Sequence, residues 1–516
     1  MLVNLETIKS LLPELILTIG AAWIFLGGTF TRSRVWWVGF ATLIYLIAGF
    51  WILRSGSVAA SAGAAVTEHP SLLLADTFGQ TVRWLAVAMG LLLTLAASRT
   101  ASRALASEYF GTVMMLSVGL MLVARANELV FLFLAFELIS IPTYVLLFLG
   151  RKDAGTAEAT IKYFFLSLVS SAMLLYGMTL LYGMTGTTTI AHGGSGEFPS
   201  LLPLAMILIF AGLGFKITAV PFHFYAPDVY QGTTNANAAL LAVVPKIAGV
   251  VGLVRLTLIA LPLASDTAWQ IAIVLSILTM TLGNICALWQ SNLRRLLAYS
   301  SIAHGGYLLI GLAVALTSQV SGGVAAMLFY LIVYSFGSLG AFATLAMLSS
   351  EERPLDRIEQ LHGLGRRHPL AAAAMSVFMF SLAGLPPLAG FWGKLSLFTS
   401  AISLSLQSEK SGLSFWFLVL AIVGALNAAV AAAYYLRIVS VMYFRESDQR
   451  ESAPLAWSSS ASVALCAAAI LAIGVVPGLV MTPAQSSDIM LQTSPPENEV
   501  TAPAHAVPTQ IAGSMD

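Results

Sequence analysis

Apolar runs of roughly the length that crosses a bilayer dominate the chain, and short polar stretches separate them. A helix needs about 20 mostly apolar residues to span the ~30 Å hydrocarbon core. Fourteen such runs occur, centred near Ile19, Ile44, Met89, Met115, Ile139, Met173, Phe210, Gly249, Ile277, Ala303, Tyr334, Gly384, Ala429 and Ile470. The first begins at Leu11 with only Lys9 before it and reads as a retained span rather than a signal peptide. The pattern predicts an all-α, polytopic transmembrane bundle. Two runs are interrupted, the seventh by Gly212, Gly214, Pro221 and Pro227 and the twelfth by Pro386 and Pro387. Matching elements an odd number of spans apart have opposite orientations, so this order predicts two inverted five-helix repeats, the hallmark of many transporter folds. The expected organisation is spans one to three in residues 1–104, a first repeat in 105–265, an inverted repeat in 266–450 and a last span in 451–484. A tail over 485–516, with Pro495, Pro496, Pro503 and Pro508 among polar residues, is predicted to be disordered and exterior.

Composition sharpens this picture by exclusion. Of 516 residues, 58% are hydrophobic and 9% charged, whereas an ordinary soluble chain carries roughly 25% charged residues. A net charge of +1 offers no basic field for nucleic acid. Two cysteines, Cys286 and Cys466, are too few for a disulfide framework, a zinc site or an iron–sulfur cluster. No glycine-rich fingerprint follows a strand, so NAD and flavin have no place here. Outside the spans, Lys and Arg divide fourteen to four between the two sets of connections. The positive-inside rule then places both termini on the non-cytoplasmic side.

Ionisable groups at mid-membrane cost about 2.5–3.5 kcal/mol each on insertion scales, so those present need partners or a hydrated path. Glu137 falls nine residues into the fifth span, with Pro142 five residues on. It is either a structural carboxylate paired with a lysine or a proton-exchanging group tuned by burial and a movable partner. Lys216 immediately precedes the break in the seventh span, where freed carbonyls could solvate its amine. Lys246 follows Pro245 in the eighth span, too deep to snorkel. Lys394 follows the break in the twelfth. Lys162 lies four residues into the sixth span, where snorkelling competes with function. His223 is a weaker candidate, since a lone histidine is more often a satisfied core group. In the tenth span Tyr299, Ser300, Ser301 and His304 form either a dry helix contact or a water-lined wire, Ser300 and His304 sharing a face. Tyr434 and Tyr435 are weaker still, Arg255 and Arg437 read as structural, and Glu14 beside Pro13 is a weak candidate for the headgroup zone.

The segments FELISIPTYVL, EATIKYFFLSLVSSAMLLYG, GLGFKITAVPFHFYAPDVYQG, NLRRLLAYSSIAHGGYLLIGL and FSLAGLPPLAGFWGKL, in this order, resemble the subunit N family of bacterial NADH–quinone oxidoreductase, respiratory complex I. The resemblance runs over roughly residues 105 to 450, plus Pro13 and Glu14. It implies a fourteen-helix antiporter-like subunit that translocates protons. In such subunits a fifth-helix Glu and a seventh-helix Lys form a charge pair, matched by Glu137 and Lys216, and the central protonatable lysine is matched by Lys246. Lys162 and Lys394 match the sixth- and twelfth-helix lysines; the latter favours subunit N over its sister subunit M, which has Glu there. His304 would fall on a hydrated central axis. The resemblance further implies membrane-arm partners, including homologous antiporter-like subunits, within a bacterial inner (plasma) membrane. NADH, FMN, iron–sulfur clusters and quinone would belong to other subunits, with no cofactor in this chain. Two other readings are a subunit of a multi-subunit cation/proton antiporter and a purely structural membrane scaffold.

Overall fold

A computed structural model describes residues 5–61, 72–151, 153–190, 199–260, 265–317, 322–349, 355–408, 410–446 and 457–492. Among these residues the chain is helical, with only isolated β-bridges between connections. The first helices are α1 (Leu5–Ser10), α2 (Leu12–Gly27), α3 (Arg34–Ser61), α4 (Thr77–Ala96), α5 (Ala106–Arg125), α6 (Leu129–Phe148) and α7 (Ala154–Thr185). Next come α8 (Leu202–Ile217), α9 (Ala226–Gly232), α10 (Asn235–Leu253), α11 (Ser265–Leu288), α12 (Leu293–Leu316) and α13 (Gly323–Leu348). The last are α14 (Leu364–Arg367), α15 (Pro369–Ala383), α16 (Ala389–Gln407), α17 (Ser411–Phe444), α18 (Trp457–Val475) and α19 (Gly478–Gln492). Among the described residues, eleven helical segments are long and apolar enough to cross a membrane, and α2, α8 and α15 are shorter apolar helices. The chain is therefore a multi-pass membrane protein.

Polar residues in the connections start the helices by accepting backbone N–H groups that have no partner within the helix. Asp76 accepts from Gly79, Asp153 from Thr156, Thr234 from Asn237 and Asn292 from Arg295. Outward faces of α3, α7 and α17 carry large apolar side chains such as Trp36, Phe165 and Ile422, as lipid contact requires. By contrast, α10, α12 and α13 are enclosed almost completely. These three pack against one another and form the centre of the bundle.

Glu14 lies inside the bundle. It is buried against Arg83, whose Nε and Nη2 each lie 2.8 Å from a carboxylate oxygen, so α2 is tied to α4. Arg125 and Arg83 both donate to the carbonyl of Ser10. Removing one partner leaves the other charge buried and unpaired, so Glu14→Ala should cost about 3–5 kcal/mol, seen as early thermal dissociation of this subunit. Nearby, Asp76 pairs with Arg255 through both carboxylate oxygens. Burial alone would push the Asp76 carboxyl up, but Arg255 and the Gly79 N–H hold it below the usual carboxylate range. Its contribution to stability is complete above the ordinary Asp value of about 3.9 and is lost only as pH falls through the lower folded value.

The predicted tail begins too early. Helix α19 runs through residues 485–492, because Ser487 and Asp488 are buried and the Asp488 carboxylate caps α13 by accepting from Gly322 (2.5 Å) and Val324 (3.2 Å). The rest of the tail, residues 493–516, lies outside the described residues, as does most of the linker between α3 and α4.

Candidate functional site

Both expected interruptions are present, but Gly212 and Gly214 lie within the continuous helix α8 and do not break it. Helix α8 stops at Ile217, where Thr218 takes a left-handed conformation (φ 61°), and α9 resumes at Ala226. Helix α15 stops at Ala383, and α16 resumes at Ala389. The centre read near Gly384 is thus a turn between two helices, of 15 and 19 residues, rather than the middle of one. Each break leaves carbonyls without helical partners, and these need other donors at membrane depth.

The two breaks meet that need differently. At the second, Lys394 reaches back across the turn and donates to the carbonyls of Leu382 and Ala383, both at 2.9 Å. At the first, Tyr225 donates to Phe215 and the Thr218 hydroxyl to Ile217. Lys216 is therefore not solvated by the freed carbonyls. It turns instead to the hydroxyl of Ser140 on α6, at 2.9 Å, and lies 5.3 Å from the centre of the Phe136 ring. Glu137 and Lys216 make no direct ion pair. The Glu137 carboxylate, half-buried, accepts from Ser171 at 2.5 Å. Each of the charged partners implied by the resemblance is thus held by a serine of its own, Lys216 by Ser140 on α6 and Glu137 by Ser171 on α7.

Lys246 is the most enclosed of the lysines, at 1% exposure. Its amine donates to the carbonyl of Ser301 and, at 2.9 Å, to the Ser301 hydroxyl. That hydroxyl lies 2.8 Å from Tyr334, which donates to the carbonyl of Ala242 at 3.0 Å. With Tyr334 donating to a carbonyl, the chain has one direction, from Lys246 to Ser301 to Tyr334. The ammonium also faces the Tyr334 ring, 4.8 Å from its centre, a favourable cation–π distance. His304, one turn on from Ser300, is held at both ring nitrogens: Nδ1 is 2.5 Å from Tyr330 and Nε2 is 2.9 Å from Tyr435. Tyr435 bonds Ser300 in turn. Lys394 stands 5.0 Å from the centre of the Tyr307 ring, which packs against Tyr330 and His304.

The structure therefore gathers Lys246, Ser300, Ser301, His304 and Tyr435 into one buried polar cluster of two hydrogen-bonded chains, which meet where the His304 ring packs 4.9 Å from that of Tyr334, with Lys394 adjoining it. Tyr330 and Tyr334 complete it and were not singled out from the sequence. Their signal was present as two phenols four apart in the apolar run of α13, a spacing that puts both on one face. Two candidates stand elsewhere. Lys162, two-fifths exposed, lines a polar cleft of about 480 Å³ and pairs there with Glu158 (2.5 Å) and Asp228 (3.2 Å). Asp228 is shared with Arg295 at 2.6 Å. His223 lies half-buried in the first break, its Nδ1 unbonded and unconnected to the lysine network.

Comparison with known proteins places this geometry. Residues 126–409 match the family described as NADH:quinone oxidoreductase/Mrp antiporter, transmembrane. The NADH-quinone oxidoreductase subunit N of Trichlorobacter lovleyi is 36% identical over 94% of this chain and 97% of its own length. A chain of respiratory complex I from Thermus thermophilus is 31% identical and superposes with a TM-score of 0.75, covering 92% of this chain and 100% of that one. A chain of the Mrp complex from Dietzia sp. shares the fold alone, at 18% identity and a TM-score of 0.79 over 94% of this chain and 98% of that one. The chain belongs to the NADH:quinone oxidoreductase/Mrp antiporter family and, within it, to the NADH-quinone oxidoreductase subunit N proteins.

Proposed function

We propose that this chain is a proton-translocating membrane subunit of an NADH:quinone oxidoreductase, coupling quinone reduction in partner subunits to proton movement through its buried lysines. The observation that carries the reading is that Lys216, Lys246 and Lys394, all at most 5% exposed, lie deep in the bundle and make no ion pair among the described residues. Each is held by oxygen acceptors, a hydroxyl or backbone carbonyls. An ammonium so placed, with neutral acceptors and an aromatic face instead of a carboxylate, can give up its proton without stranding a buried counter-charge. A structural lysine would be locked to an acid. Glu137, within electrostatic reach of Lys216 but not bound to it, is suited to bias that exchange.

In this reading α8 with α9 and α15 with α16 each make one broken crossing, and the chain crosses the membrane fourteen times. Helices α5–α10 and α11–α17 form the inverted repeats, the termini face away from the cytoplasm, and the membrane is the bacterial inner membrane. The hydride and electron steps fall to redox subunits carrying NADH, flavin, iron–sulfur clusters and quinone. Neighbouring membrane-arm subunits cover the half-buried Glu137.

The assembled complex in sealed vesicles tests the reading. Glu137→Gln and Lys216→Ala should each lower protons pumped per NADH oxidised several-fold. Normal pumping by both would overturn it, and cation/proton exchange without NADH would favour an antiporter. Ser301→Ala removes one hydrogen bond to a charged group, about 1.5 kcal/mol, and should slow pumping roughly tenfold. Ser301→Thr, which keeps the hydroxyl, should stay near the native rate.

A further inference from the structure

The outer end of α10 carries a buried ionic cluster that the relay does not use. Beyond Leu253 the helix widens into a π turn, Val254–Ile259, in which Arg255 is fully buried. Its guanidinium binds both carboxylate oxygens of Asp76, donates to the carbonyl of Ala124 at 2.6 Å, and lies 5.2 Å from the centre of the Phe78 ring. Asp76 caps α4 and Ala124 lies in the last turn of α5, so one side chain fastens α10 to two other helices. The site is shaped for this. A Cβ on Gly79 would fall 2.8 Å from the Ala124 oxygen and 3.2 Å from Arg255 Nη2. Arg125 is fixed beside it by the carbonyls of Leu74 and Ser10.

Nine residues, about 13.5 Å of helix, separate Arg255 from Lys246. On the far side of Lys246 the helix is weakened, because Pro245 has no N–H for the carbonyl of Leu241. The segment bearing Lys246 is therefore joined to the start of its own helix by one backbone bond fewer. Along this segment α10 touches its neighbours closely. A Cβ on Gly249 would fall 2.6 Å from Ile217 and 3.1 Å from the Cβ of Lys216, and one on Gly252 would fall 2.4 Å from Phe136. These niches fit at only one axial level.

We propose that the Arg255–Asp76 clasp is a positioning device for Lys246, fixing the level of the outer half of α10 and with it the contact between Nζ and Ser301. The inference rests on Lys246 being a relay group. A slip of about 1 Å is enough to break a proton-transfer geometry, and the clasp prevents it from a distance. Arg255 and Asp76 exchange no proton themselves.

The test uses the whole complex in sealed vesicles. Replacing a buried ion pair by apolar residues is often neutral for stability, so the double variant Asp76→Leu/Arg255→Leu should assemble. Protons pumped per NADH oxidised should fall at least about threefold. This ratio is taken over working complexes, and a loss of assembled protein alone would not move it. Asp76→Glu, which keeps the charge and the paired oxygens, should recover much of the pumping that Asp76→Asn loses. Native pumping by the double variant would overturn the proposal. Should that variant not assemble, Arg255→Lys carries the same two outcomes, because it keeps the charge but not the two-point grip. Lys246→Ala is measured in parallel. Normal pumping by that variant removes the relay reading itself, whereas its loss alongside native pumping by the clasp variant removes only the positioning role.

Discussion

Lys246→Ala in the assembled complex is expected to lower proton pumping and the coupled quinone reductase rate together, by about tenfold or more, the scale of a lost acid–base group. The expectation follows from the network around the amine. Lys246 donates to the carbonyl and hydroxyl of Ser301, and the hydroxyl leads to Tyr334. Without Nζ the chain through Ser301 has no proton to receive, and α12 loses its polar tie to α10. Lys246→Arg separates these two contributions. Its guanidinium keeps a positive charge and can donate to the same oxygens, but it does not give up a proton in proteins. If the side chain serves exchange, the arginine variant assembles and pumps no better than alanine. If it serves only to hold the helices together, arginine restores the native rate. Pumping and quinone reduction rates, read from one vesicle preparation across pH, decide between the two.

The largest effect on stability is expected from Gly390→Ala. Gly390 lies in the first turn of α16, facing the end of α15 across the second break, and its N–H donates to the Ser381 hydroxyl. A Cβ there would fall 1.7 Å from the Ser381 carbonyl oxygen and 2.6 Å from its carbon, both backbone atoms. No rotamer change relieves such a contact, so the two helices must separate. Separation also withdraws Lys394 from the carbonyls of Leu382 and Ala383. A cost of about 4 kcal/mol or more is expected, seen as loss of the subunit from purified complex or as a steep fall in its thermal stability. Native stability would show that the break is looser than its geometry. Gly412, which has open space around it, is the control position, and Gly412→Ala should be silent.

What could be read beforehand follows from the range of each signal. Apolar length and the Pro interruptions are local, and they located the helices and both breaks, whereas Gly212 and Gly214 proved to lie inside α8. Depth along a helix is also local, which is why Lys216, Lys246 and Lys394 stood out. The oxygens that hold each amine are not local. Ser140 is 76 residues from Lys216, Ser301 is 55 from Lys246, and Tyr435 is 131 from His304. Nothing near Lys216 in the sequence distinguishes Ser140 from the freed carbonyls or from Glu137 as its partner. The choice is made by the tertiary fold, which brings the Ser140 hydroxyl of α6 within 2.9 Å of the Lys216 amine. The misplaced start of the tail has the same origin. Ser486, Ser487 and Asp488 look like the beginning of a solvated segment until α13 supplies the N–H groups that Asp488 accepts.

The complete enclosure of α10 also constrains biogenesis. Spans leave the ribosome in sequence, so Lys246 is inserted before Ser301 and Tyr334 have been synthesised. Until α12 and α13 arrive, its amine has none of its final acceptors, and a lone lysine at mid-bilayer costs about 2.5–3.5 kcal/mol. The early intermediate is thus poised against its own central helix, and the later spans relieve it.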